Sequence, residues 1–269
     1  MSIQILDHGR LREIRLARPP VNALDTALCQ ALTAAVQQVG SEVDGVVLSG
    51  SERIFSGGMD VPHLLSHGTN RGALLESWTA FFDAANALAH CPVPVVAAIG
   101  GHAPAGGCVL ALCCDYRVMA RSADTARPYA IGLNEVQVGL AAPEGIQRLL
   151  RRVVGAHRAE RLLIAGQLVP AEEAVKIGLV DELAVAQQQH LLAREVVEEV
   201  GHLPAIHPQR GVVPERRPAV VDAPRLAAYG LDDVGPRLQA VHPQMHPVGV
   251  GPVDGVAQHR DQAGVGPVG

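Results

Sequence analysis

Two glycine turns, each set directly behind a short apolar run, constrain this chain more than any other feature. The first is "FSGGMD" at 55–60, behind "DGVVLSGS"; the second is "GGHAPAGG" at 100–107, behind "VPVVAAIG". An apolar run of that length bounded by turn residues reads as a strand buried on both faces, which belongs in a parallel sheet covered by helices. Glycine supplies positive φ and lets a ligand approach the backbone, and α/β proteins place ligands at the carboxyl ends of such strands. Gly100, Gly101, Gly106 and Gly107 therefore raise a specific question: what lies against the backbone there.

The flanking sequence supports an α/β core. "IQIL" and "LREIRLA" predict a strand pair turning at "DHG". Asp25 is placed to cap a helix in which Leu28, Leu32, Val36 and Val39 keep helical spacing. "LLESWTAFFDAANALA" predicts a long amphipathic helix whose Trp78, Phe81 and Phe82 pack in the core, with an acyl-tunnel wall as their second reading. "GGCVLALCC" predicts a short helix with its glycines at the N-terminal end, and "DYRVMA" a strand. "EGIQRLLRRVV", "RAERLLIAG" and "PAEEAVKIGL" have helical spacing. Strands feeding helices through short connections define the class, and 269 residues at 48% apolar suffice for one large core.

Composition removes several functions. The net charge is -5 and Lys176 is the only lysine, so no basic stripe is available for nucleic acid. Cys29, Cys91, Cys108, Cys113 and Cys114 form no C-x-x-C pair, which speaks against a disulfide framework or zinc site and for buried reduced thiols in a cytoplasmic protein. The first residues lack the basic and apolar segments of a signal peptide, and no run approaches the roughly 20 apolar residues of a membrane span. His242 and His246 in "HPQMHP" are four apart, but the prolines beside them forbid the helix such a pair needs, so no metal is expected.

From Gly201 to Gly269 there are ten prolines and ten glycines and no clear period, which puts this segment in the low-complexity range. Two origins fit: a disordered extension, or a shift of reading frame in a GC-rich gene. The expected organisation is a core over residues 1–200 and an atypical tail over 201–269.

The glycine turns do not belong to a phosphate loop, because no G-K-[ST] follows, nor to a dinucleotide site, because G-x-G-x-x-G is absent. What remains is a pair of backbone N–H donors, one at a helix N-terminus, that together would make an oxyanion hole; two tight turns with no ligand fit the spacing as well. The ordered set "FSGGMD", "AAIGGHAPAGGCVLALCCDYR" and "IGLNEVQVGLAAPEG" resembles the crotonase superfamily of enoyl-CoA hydratases and isomerases, most of all its delta3,delta2-enoyl-CoA isomerases, over about residues 3–183.

The resemblance implies an α/β spiral of repeated ββα units, with a C-terminal appendage that departs from the family's helices. It also implies an acyl-CoA thioester substrate, with coenzyme A as part of that substrate and no separate cofactor, and a homotrimer or hexamer. By position, the oxyanion donors are the N–H groups of Met59 and Gly106. Gly57, Gly58, Asp60 and Val61 fall on the CoA-contacting loop, where Asp60 serves equally as an N-cap for "VPHLL". Asn134 matches a substrate-contacting position or is a turn residue, and Glu135 in "GLNE" matches the isomerase base.

The family's hydratases carry two glutamates, at the positions of Val109 and Glu135. Valine moves no proton, and adding water calls for two managed protons, whereas one carboxylate suffices to carry a proton from C2 to C4 of a dienolate. An isomerase is therefore expected. Glu144 is a first-turn acid favoured by its helix dipole, or a second carboxylate if it turns inward. His102 reads as wall or surface and not as a catalyst. Two other readings remain: a weak hydratase served by Glu144, and a damaged, non-catalytic paralogue that keeps the core and loses its cap.

Overall fold

The structure, a computed structural model, describes residues 2–185 and 188–201. The tail expected over 201–269, with His242 and His246, lies outside the described residues apart from Gly201.

The chain opens with β1 (Ile3–His8) and β2 (Leu11–Leu16), joined by a turn in which Gly9 takes φ +63°, and enters α1 (Thr26–Gln37). There follow β3 (Gly45–Ser49), α2 (Val61–Ser66), α3 (Arg71–Ala89), β4 (Val95–Ile99), β5 (Ala103–Pro104), α4 (Gly106–Cys113), β6 (Tyr116–Ala120) and β7 (Ala130–Gly132). A 3-10 turn (Glu135–Val138) leads to α5 (Glu144–Val154), α6 (Ala156–Ala165), β8 (Val169–Pro170), α7 (Ala171–Lys176), β9 (Glu182–Ala184) and α8 (Gln189–Gly201).

Six strands form the main sheet in the order β1-β2-β3-β4-β6-β9, with every neighbour after the first pair parallel. A small sheet, β5-β7-β8, lies beside it. The chain advances as a spiral: β4 runs on through β5 into α4, and β6 runs on through β7 towards the 3-10 turn and α5. Ile54 joins the same second layer by a parallel bridge to His102. The α/β class read from the sequence and the ββα spiral implied by the resemblance are thus present.

Burial explains why β3 and β4 lack any polar alternation: all ten of their residues are buried. Val46, Leu48, Val95, Ala97 and Ile99 face the main core with α1, α3 and α4, while Val47, Val96 and Ala98 face Ala193, Val196 and Val197 of α8. Each strand thus serves two cores by its period of two. Phe81 and Phe82 are buried as read, and all five cysteines are buried reduced thiols. Among the described residues no helix is long and apolar enough to cross a membrane.

Candidate functional site

The first glycine turn is held by the strap that follows β2. Asn22, at φ +50°, sends its Nδ2 to Phe55 O (3.0 Å), Ser56 Oγ donates to Asn22 O (2.8 Å), and Gly57 N–H donates to Val21 O (2.8 Å). The parallel bridge between Leu24 and Met59 is made by Leu24 N–H donating to Gly58 O (2.8 Å) and Asp60 N–H donating to Leu24 O (3.1 Å). Both bonds belong to Leu24, so the N–H of Met59 stays outside the bridge. Asp60 caps α2 by accepting from His63 N–H (2.9 Å), as one of its two sequence readings had it, and Val61 opens that helix.

The second donor comes from α4. Gly106 is its first residue, and N–H groups of a first turn have no acceptor within their own helix. The residue before it, Ala105, sits at φ +46°, ψ -118°, a conformation that costs a non-glycine residue on the order of 1–3 kcal/mol. That strain is held in place by Ala105 N–H donating to Gly132 O (2.8 Å) and Val109 N–H donating to Ala105 O (3.0 Å). The two turns touch: a Cβ placed on Gly58 would lie 3.1 Å from the Gly106 nitrogen, and one on Gly106 would lie 3.3 Å from the Met59 nitrogen.

The other three glycines of the second turn answer a different need. A Cβ on Gly100 would come within 2.5 Å of Ser51 O, one on Gly101 within 1.9 Å of the Arg53 carbonyl, and one on Gly107 within 2.6 Å of Ser56 O. What lies against the backbone thus differs along the turn: Gly100 and Gly101 meet the 51–53 segment behind β3, Gly107 meets Ser56 of the preceding glycine turn, and Gly106 stands beside the Met59 nitrogen.

Glu135 reaches the same edge through the small sheet. β5 and β7 run parallel with Ala103 opposite Ile131 and Pro104 opposite Gly132, so Ala105–Gly106 and Leu133–Asn134–Glu135 leave the sheet together. Glu135 is half-buried, and burial pushes its carboxyl above the usual glutamate range. Its Oε2 and the Oδ1 of Asn134 are both shielded from solvent with no hydrogen-bond partner among the described residues. Asn134 places no side-chain cap on the 3-10 turn, which leaves that oxygen unengaged. The Glu135 charge is felt in the first turn of α4, where burial chiefly, and then that charge, raise the Cys108 thiol.

An apolar wall flanks the donors. Leu64 is the buried centre of a cluster with Met59, Val61, Leu74, Trp78 and Leu140, and Leu140 N–H donates to Glu135 O (3.1 Å). Trp78 stacks on Phe82 and so joins this wall to the core. Val109 is fully buried in that core. Glu144 opens α5 in solvent, with its side chain 57% exposed and Arg148 Nε donating to it at 3.1 Å, as the first-turn reading had it. His102 is structural: its Nδ1 accepts from Ala130 N–H (3.2 Å), and burial holds its pKa down.

Sequence reasoning missed Ala105, since alanine gives no signal of positive φ, and missed Cys108 as a neighbour of Glu135. It also missed Arg18, which lies 2.9 Å from Asp25 and 2.7 Å from Asp60, because nothing local links residues so far apart in the chain.

The profile of the enoyl-CoA hydratase/isomerase family matches residues 8–209. Enoyl-CoA delta isomerase 1, mitochondrial, of Mus musculus is 37% identical over 187 residues, 68% of this chain and 63% of that protein. A probable enoyl-CoA hydratase of Mycobacterium avium is 36% identical over 189 residues, 68% of this chain and 70% of that protein. The crystal structure of human mitochondrial delta3-delta2-enoyl-CoA isomerase superposes with a TM-score of 0.79 at 26% identity, covering 91% of this chain and 98% of the other. The chain thus spans less than two thirds of the length of its mouse relative.

Proposed function

This chain belongs to the enoyl-CoA hydratase/isomerase family, and from that premise we propose that it moves the double bond of a 3-enoyl-CoA into conjugation as the 2-enoyl-CoA. The observation that carries this reading is a single shielded carboxylate, Glu135, delivered beside the N-terminus of α4 by paired strands, with Val109 in the core and Glu144 in solvent. The isomerase names among the relatives support it, while hydratase names keep hydration as the activity to be tested against it.

In this mechanism Gly57, Gly58, Asp60 and Val61 line the approach of the CoA moiety, and the thioester oxygen lies between the N–H groups of Met59 and Gly106. Glu135, ionised, removes a proton from C2. The electron pair of that C–H bond delocalises over C2, C3 and C4 and onto the thioester oxygen, where the two N–H donors meet the developing charge. The carboxyl returns the proton to C4, leaving C2=C3 in place of C3=C4, and Glu135 is again a carboxylate. Asn134 Oδ1 offers an acceptor beside the reacting carbons. Burial serves the step in two ways: it makes Glu135 a stronger base than a solvated glutamate, and it keeps competing water away from the dienolate.

The test follows the conjugated 2-enoyl-CoA by absorbance from a 3-enoyl-CoA, with Glu135→Gln and a separate assay of water addition to the 2-enoyl-CoA. Turnover that collapses in Glu135→Gln and exceeds hydration supports the reading. Hydration outpacing migration, or full turnover by Glu135→Gln, overturns it.

A further inference from the structure

Arg18 stands just beyond β2, outside the set of groups that meet substrate in the proposed reaction but bonded to one of them, Asp60. All three of its nitrogens are engaged. Nε lies 2.9 Å from Asp25 Oδ2, Nη2 donates to Asp60 Oδ2 at 2.7 Å, and Nη1 donates to Ala23 O at 3.0 Å. Each aspartate spends its other oxygen on a helix: Asp25 Oδ1 accepts from Leu28 N–H of α1 (2.8 Å), and Asp60 Oδ1 accepts from His63 N–H of α2 (2.9 Å). One guanidinium therefore joins two helix caps. The two carboxylates are sheltered, with side chains 17% and 12% exposed.

The caps are chain neighbours of the bridge already described, Asp25 following Leu24 and Asp60 following Met59. Arg18, Asp25, Leu24, Met59 and Asp60 thus close a ring, with the guanidinium on one side and the two backbone bonds of Leu24 on the other. We propose that Arg18 is a positioning residue for the Met59 N–H, holding it at the distance from Gly106 at which one thioester oxygen can accept from both. The proposal rests on the oxyanion reading above. Without the guanidinium, two carboxylates of like charge face each other across the ring, and their repulsion pulls the strap from the glycine turn that carries Met59. Lysine cannot replace it, because a single ammonium lacks the planar fork that reaches two carboxylates and a carbonyl together.

The experiment reads donation to the thioester directly. Butanoyl-CoA carrying ¹³C at the thioester carbonyl has no double bond to migrate, and its carbonyl stretch falls in frequency when N–H groups donate to that oxygen. With the wild-type protein the bound probe is expected to show this fall. In Arg18→Ala and Arg18→Lys the fall should shrink, with kcat on a 3-enoyl-CoA reduced about tenfold or more while KM changes little. Methylguanidinium should restore part of both in Arg18→Ala. Thermal melts run alongside identify the folded fraction, and Arg18→Lys carries the test if the alanine variant does not fold.

An undiminished frequency fall in the folded variants, with only a lower melting temperature, overturns the proposal and leaves Arg18 a purely structural residue. A wild-type protein that gives no frequency fall overturns the oxyanion reading and this inference with it. A wild-type fall without double-bond migration sinks the isomerase reading alone, and the comparison with the Arg18 variants then still decides the positioning role.

Discussion

Pro104 and Gly132 lie opposite each other in parallel register, and this pairing sets Gly106 and Glu135 at one edge of the small sheet. A backbone donor and a carboxylate from segments about thirty residues apart thus reach one place through strands of two and three residues. Neither strand has a hydrophobic pattern of its own; they form because the longer β4 and β6 deliver their chains side by side.

The first prediction concerns pH. Burial raises the Glu135 carboxyl, and only its ionised form can take a proton, so kcat/KM should be constant at higher pH and fall as pH drops through an apparent pKa above the ordinary glutamate value. Glu135→Gln should lower kcat/KM by about 10²–10⁴-fold and abolish that limb of the profile. Rates measured across acidic pH check it, and a limb retained in the variant would assign the titration to another group.

The same carboxylate should weaken the fold. Because the native state binds the Glu135 proton more readily than the unfolded chain, its stability falls as pH rises through the window between the ordinary and the raised values. Glu135→Leu, which removes a buried acceptor without a partner, should therefore be more stable than the wild type by about 1–3 kcal/mol at neutral pH. The gain should vanish once the pH is low enough to protonate Glu135 in both states. Urea midpoints at two pH values measure this.

Two glycines of one turn should fail in different ways. A methyl on Gly106 meets the end of the Leu24 side chain at 3.0 Å, which can move, and the Met59 nitrogen at 3.3 Å, which must give. Gly106→Ala should fold and lose about 10²-fold in kcat as the donors spread. A methyl on Gly101 would stand 1.9 Å from the Arg53 backbone, with no side chain to move aside, and Gly101→Ala should not reach the native fold. Circular dichroism and turnover on both variants separate the outcomes; an unfolded Gly106→Ala with a native Gly101→Ala would reverse the assignment.

Much of this was legible in the sequence, for reasons tied to range. Helix caps such as Asp25 and Asp60 are local devices, and apolar runs such as Val46–Leu48 announce strands buried on both faces. The ordered motifs marked Met59, Gly106 and Glu135 by resemblance alone. The reason for the glycines was not legible, because only the folded chain reveals that Gly101 meets Arg53. In "CDYR", Asp115 accepts from Val95 N–H (2.9 Å) and Arg117 Nε donates to Leu179 O (3.1 Å), so that motif stitches strands and loops together. Long-range polar groupings leave no local trace, and one of them centres on Glu13.

Glu13, in the strand "LREIRL", is fully buried under α8 and is not among the residues singled out from the sequence. Burial alone would raise its carboxyl, but contacts with His190 (3.2 Å), Ser49 (2.7 Å) and Arg15 (2.9 Å) outweigh that and hold it well below the usual range, with Arg194 a further 3.2 Å partner. A depressed carboxylate contributes stability that is complete above the ordinary glutamate value and is lost as pH falls below it. Glu13→Gln should therefore lose about 2–3 kcal/mol at neutral pH. That lies below the roughly 3–5 kcal/mol of a broken, fully buried pair, since Arg15 and Arg194 keep some contact with water. The wild-type and variant unfolding curves should converge as the pH is lowered, and amide exchange in α8 should quicken in the variant, because His190 and Arg194 tie that helix to the sheet through this one carboxylate. Curves that stay parallel from neutral to acid pH would mean that the depressed Glu13 contributes nothing to the acid response.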